Sequence, residues 1–124
     1  MYDKTKFTQD LAIDRFIYAV ENNFYVEAHE LLEDDWNEYK KIGEKNKALV
    51  LKGLINGATA LALYFEKKRP SGYEKVWPVF NKYMPLLDEV SLDNKDRFYY
   101  AKELLIINYL FCVMAANGNS SNDW

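Results

Sequence analysis

Among 124 residues there is one cysteine and one histidine, with three prolines and five glycines. A lone cysteine cannot close a loop on itself, so no disulfide framework holds this chain, and Cys112 reads as a small buried hydrophobe in a reducing compartment. A lone histidine leaves a nucleophilic triad only one imidazole to draw on, and Ser71, Ser91, Ser120 and Ser121 fall in caps or in the tail. Scarce glycine and proline exclude collagen-like and low-complexity chains. No glycine-rich phosphate loop occurs, because Gly53 and Gly57 lie inside a helical pattern.

Long hydrophobic runs and an excess of one charge are also missing. The longest apolar stretches, Gly53 to Phe65 and Leu104 to Ala116, fall short of the roughly 20 residues a spanning helix needs. Met1 to Gln9 is polar and lacks the apolar centre of a secretory signal. Sixteen basic and 19 acidic residues leave a net charge of −3, the wrong sign for nucleic acid or an anionic bilayer, which need a clustered basic face. Lys40, Lys41, Lys45 and Lys47, and Lys67, Lys68 and Arg69, gather where helices end, and cations there complement the helix dipole. The expectation is a cytoplasmic protein with no nucleic-acid or membrane partner.

What is present is apolar and helical. Hydrophobic residues make up 49% of the chain and aromatics 16%, enough for a self-supporting core in a domain this small. The spacing predicts a compact, all-α, antiparallel bundle of about five helices over residues 1–118, with a mobile tail at 119–124. The first helix is capped at Thr8 and runs to Glu21. Asn22 and Asn23 supply a left-handed turn, and a second helix covers about Phe24 to Lys40. After Gly43 a third helix from about Lys45 to Lys67 is apolar around most of its circumference, which marks a helix surrounded by neighbours. Arg69 to Gly72 reads as a turn, with Ser71 and Glu74 as a capping box. The fourth helix is expected to be kinked or split at Pro78 and Pro85, which lack donors and clash one turn back. The fifth, capped around Ser91 to Asn94, stops at Asn117 and Gly118.

One stretch concentrates the polar chemistry. Glu27 to Trp36 holds the only histidine and five carboxylates on one expected helix. At about 100° per residue, with Ala28 at the centre of the apolar face, His29, Glu33 and Trp36 fall on one flank. Glu30 then points away from the core, and Glu27 lies on the opposite flank. His29-Glu30-x-x-Glu33 is a relative of the zincin spacing, with a carboxylate in place of the second histidine. A histidine and a glutamate four residues apart can chelate one divalent ion, with Glu30 or Glu27 as base for a bound water, but a catalytic zinc site wants a third protein ligand. Two other readings stand beside it: His29 hydrogen-bonded at the edge of the core, and a metal-free acid or base.

Asn22-Asn23-Phe24-Tyr25-Val26-Glu27-Ala28-His29-Glu30-Leu31-Leu32-Glu33-Asp34-Asp35-Trp36, followed by Leu51-Lys52-Gly53-Leu54-Ile55-Asn56-Gly57-Ala58, resembles the domain-of-unknown-function family 309. The resemblance covers roughly residues 11 to 87. It implies a small all-helical protein in a family labelled as predicted metal-dependent hydrolases without an established reaction. By resemblance, Glu27, His29, Glu30, Glu33, Trp36 and Gly53 are the positions of interest. Lys52 and Asn56 stand where the family tends to have glutamines, Asn23 where it has glycine, and Leu63 near the place of a second histidine.

Two functions follow as expectations. One is a non-enzymatic interaction or binding module, as a homo-oligomer or with a protein partner, in which Trp36, Gly53 and Asn56 are structural. The other is a metal-dependent hydrolase-like enzyme with His29 and Glu33 as ligands of a divalent ion and Glu30 or Glu27 as base. In both, the polar cluster is expected to face the third helix near Lys52, Gly53 and Asn56.

Overall fold

The structure is a computed structural model that describes the backbone of residues 11–66 and 70–121 and the side chains of 11–66 and 74–114. Every regular element among the described residues is helical: α1 Ala12–Glu21, α2 Tyr25–Leu31, α3 Glu33–Lys41, α4 Lys45–Phe65, α5 Pro70–Tyr83, a 3-10 helix Met84–Asp88, and α6 Lys95–Ser121. The all-α bundle expected from periodicity is therefore the fold, and helix α4 is its spine, in contact with α2, α3, α5, the 3-10 helix and α6. Its buried side chains, among them Val50, Leu51, Leu54, Ala58 and Leu61, meet Phe16 and Ile17 of α1, Phe80 of α5 and Leu105 of α6 in one hydrophobic core. No polar or charged side chain among the described residues is fully buried.

Two turns of the same kind join α1 to α2 and α3 to α4. Asn23 has φ +65°, its N–H donates to the Val20 carbonyl at 3.1 Å, and the Phe24 N–H donates to the Ala19 carbonyl at 2.8 Å. Gly43 repeats the arrangement with φ +81°, its N–H donating to Lys40 and the Glu44 N–H to Tyr39. Both satisfy carbonyls that a helix end would otherwise leave unpaired, and both need a left-handed residue, which asparagine tolerates and glycine adopts freely.

Four boundaries differ from the sequence expectation. The second helix is two helices, divided at Leu32 (φ −100°, ψ −2°). Glu33, Asp34 and Asp35 crowd the first turn of α3 and Lys40 and Lys41 its last, so the charge pattern favours a helix that starts at Glu33, with its own dipole complemented at both ends. Helix α5 already begins at Pro70, where the missing N–H costs nothing, so Ser71 and Gly72 are helical and not part of the turn. It passes through Pro78 unbroken and changes to the 3-10 helix at Met84, with Pro85 in the first turn of the new element. Only Pro85 splits the segment. Pro78 faces solvent, where the freed carbonyl one turn back can turn to water. Helix α6 continues past Asn117 and Gly118 to Ser121. Thr8, the expected cap of the first helix, lies outside the described residues, and α1 begins at Ala12 behind Leu11.

Helix α4 is also longer than the apolar run Gly53 to Phe65, which forms its C-terminal part. Starting at Lys45, it reaches 21 residues and is apolar enough to cross a bilayer by length and composition. Most of it is packed inside the bundle.

Candidate functional site

The wheel centred on Ala28 holds within α2. Ala28 and, at the following turn, Leu32 are fully buried, Glu30 is exposed, and Glu27 and His29 are half-buried on their flanks. His29 Nδ1 lies 2.8 Å from the Val26 carbonyl. A carbonyl only accepts, so Nδ1 carries the proton and neutral His29 presents the lone pair of Nε2. That nitrogen sits 3.9 Å from Glu33 Oε1 across the α2–α3 turn. The spacing of His29 and Glu33 thus brings the pair together, even though they belong to different helices.

The other residues of interest have contacts of their own. Trp36 is on α3, half-buried, with Lys40 Nζ 3.8 Å above the centre of its ring. This cation–π contact covers the indole from solvent. Gly53 does not face the polar cluster. A Cβ there would lie 2.6 Å from Met84 Cε and 3.2 Å from Tyr83 Cβ, so its missing side chain admits the end of α5 and the 3-10 helix. Lys52 Nζ is 5.8 Å from the centre of the Tyr83 ring, and the Asn56 amide donates back to the Lys52 carbonyl within α4. Lys52 and Gly53 thus meet the end of α5 and the 3-10 helix, while α2 packs against α4. Among the described residues, no three side chains of histidine, cysteine, aspartate or glutamate are grouped to hold a metal ion. What the arrangement offers a cation is one imidazole nitrogen and one carboxylate, both partly solvated.

A second polar cluster, at the other end of α2, was not singled out in the sequence. The carboxylate of Glu66, at the C-terminal end of α4, accepts from the N–H of Tyr25 at 2.8 Å and of Val26 at 3.4 Å. It caps α2 from a distance of about 40 residues in sequence, placing a negative charge at a helix N-terminus. The Tyr25 hydroxyl donates to Asn23 Oδ1 at 2.8 Å and approaches Asn108 Oδ1 of α6 at 3.1 Å, while its ring stacks on Phe65 at 5.5 Å. Together with Phe111 these residues line an open cleft of about 590 Å³. The sequence carried only half of the signal: Asn23-Phe24-Tyr25 is a local turn, but Glu66, Asn108 and Phe111 reach it through the fold. A further cleft of about 410 Å³ lies where Leu11, Asp35, Tyr39, Lys47 and Asp93 meet.

Burial, reinforced by Cys112 and Glu66, pushes the Tyr25 hydroxyl up to about 12, and burial pushes the Cys112 thiol up to about 11. Both groups are held neutral by the fold and ionise more easily when unfolded. A raised folded-state pKa leaves stability intact below the unfolded value and removes it as pH climbs through the folded one. The urea midpoint is therefore expected to hold from pH 6 to 8 and to fall between about pH 9 and 12. Cys112→Ala and Tyr25→Phe should each make that fall shallower, and a slope that neither variant changes would contradict the assignment.

No curated protein and no solved structure matches the chain. The model of one family, described as a domain of unknown function (DUF309), matches residues 13–76, from α1 into α5 and more than half of the chain. The protein therefore belongs to the DUF309 family.

Proposed function

We propose that this protein is a non-enzymatic interaction module, with the His29 ring held at the end of α2 by its bond to the Val26 carbonyl. The observation that carries this reading is on α6, where Ile107, Leu110, Phe111 and Met114 are each at least half exposed. A row of large apolar side chains left in water marks a surface that another molecule covers. The net negative charge supports a partner that is neither nucleic acid nor an anionic membrane. The packing of α4 among its neighbours supports its role as a core helix of a cytoplasmic protein.

One observation favours a second reading, a metal-dependent hydrolase-like enzyme: the lone pair of His29 Nε2 is turned toward Glu33. On that reading the pair holds a divalent ion, and Glu30 or Glu27 serves as base. Thermal melting with and without zinc, manganese or magnesium separates the two, because an ion that binds only the folded state raises the melting temperature. The module reading expects no ion-dependent shift. It also expects His29→Ala to lower stability by about 0.5–1 kcal/mol, through the lost bond between its partly exposed ring and the Val26 carbonyl. A rise with metal that His29→Ala abolishes would overturn it.

A further inference from the structure

We propose that the exposed face of α6 closes against the same face of a second copy of this chain, the two helices running antiparallel about a two-fold axis between Leu110 and Phe111. The proposal rests on the interaction-module reading and names its partner.

Three observations point to a second copy. The first is the pattern. Ile107, Leu110, Phe111 and Met114 recur at three-, four- and seven-residue steps, the spacing of a helix–helix seam. They are also self-complementary. An antiparallel pair centred between positions 110 and 111 sets Ile107 against Met114 and Leu110 against Phe111, and the two-fold repeats both contacts, as an isologous interface requires.

The second observation is charge. No charged residue occurs between Glu103 and Asp123. In the antiparallel register Glu103 falls opposite Gly118, so like charges do not face one another. A charged partner would find no charge on this row of α6 to pair with, and the carboxylate beside it, Glu66 in the cleft, is already engaged by the N-terminus of α2, whereas an identical apolar row costs no charge its hydration.

The third is area. Phe65, at the rim of the cleft it shares with Phe111, is 40% exposed, and the four residues of α6 are 50–65% exposed. At roughly 200 Å² per large side chain they offer ~500 Å² of apolar surface per copy, so two copies bury about the 1,000 Å² that separates a specific interface from a chance contact.

The test is the mass in solution of the full chain, followed by sedimentation from low to high micromolar concentration. The wild type is expected to reach twice its 14.6 kDa monomer mass, and Phe111→Glu to remain a monomer with unchanged helical circular dichroism, since the substituted side chain lies in water in the monomer. Register is tested by mixing Ile107→Cys with Met114→Cys under oxidising conditions, with the buried Cys112 out of reach. A disulfide is expected only in the mixture, and disulfides within either variant alone would overturn the antiparallel arrangement. A wild type that stays monomeric at every concentration, or a dimer that Phe111→Glu leaves intact, overturns the proposal. So does a monomer that binds zwitterionic lipid vesicles through Phe111. None of these results touches the module reading, which falls only on the metal-dependent melting described above.

Discussion

Phe80→Ala is expected to remove about 3–5 kcal/mol of stability, a large share of the roughly 5–15 kcal/mol a domain of this size possesses. Phe80 is 1% exposed and joins three helices. Its ring lies over the backbone of Gly57 in α4, its centre is 4.3 Å from that of Trp77, and Trp77 in turn stacks on Tyr109 of α6 at 4.0 Å. Truncation loses the transfer energy of the ring and leaves a cavity that α4, held by neighbours on every side, has little freedom to close. Part of the loss is the aromatic contact with Trp77, about 0.5–1.5 kcal/mol beyond the buried area. Urea denaturation measures it directly, and a loss below about 1 kcal/mol would show that this junction is not packed as described.

Gly57→Leu probes the same junction from the other side and should cost about 3 kcal/mol. A Cβ at position 57 would lie 2.9 Å from Phe80 Cδ2 and 3.0 Å from Leu105 Cδ1, both on side chains with no free space to retreat into. Replacing a mid-helix glycine gains roughly 1 kcal/mol of helix propensity. Overpacking of about 1–3 kcal/mol already offsets that gain for a methyl group, and the larger side chain exceeds it. At Gly53 the nearest atom is the flexible end of Met84, so the same substitution there should cost less. Because Gly57 and Phe80 touch, the two losses should not add. In a Phe80→Ala background the leucine has a cavity to enter, and the double variant should be more stable than the sum of the single losses predicts by at least about 1 kcal/mol. Strict additivity in the urea midpoints would argue against direct contact.

The helices were legible in the sequence because their causes are local. Apolar spacing marked α1, α4 and α6, and Asn23 and Gly43 marked two of the turns by their tolerance of the left-handed conformation. The division at Leu32 was legible too, in the three acids from Glu33 to Asp35, but the apolar periodicity ran through it and concealed it. The candidate site was legible only within one turn. His29 and Glu33 meet because four residues of helix bring them together, whereas their supposed neighbours depended on the rotation of α4. That rotation is set by where two glycines let another helix approach, and Gly53 and Gly57 admit α5 and α6.

By itself, then, the sequence determined an all-helical bundle with one histidine–carboxylate pair, since 3.6-residue periodicity, capping and charge at helix ends act over a few residues. Only the tertiary structure decided that Glu66 caps α2, that Tyr25 is held between Asn23 and Asn108, and that Ile107, Leu110, Phe111 and Met114 of α6 stay exposed. From Leu104 to Met114 helix α6 carries no charge and is largely apolar all round, so that stretch alone does not distinguish the face buried on Phe80 and Trp77 from the face left in water. That choice is made by which side the rest of the chain covers.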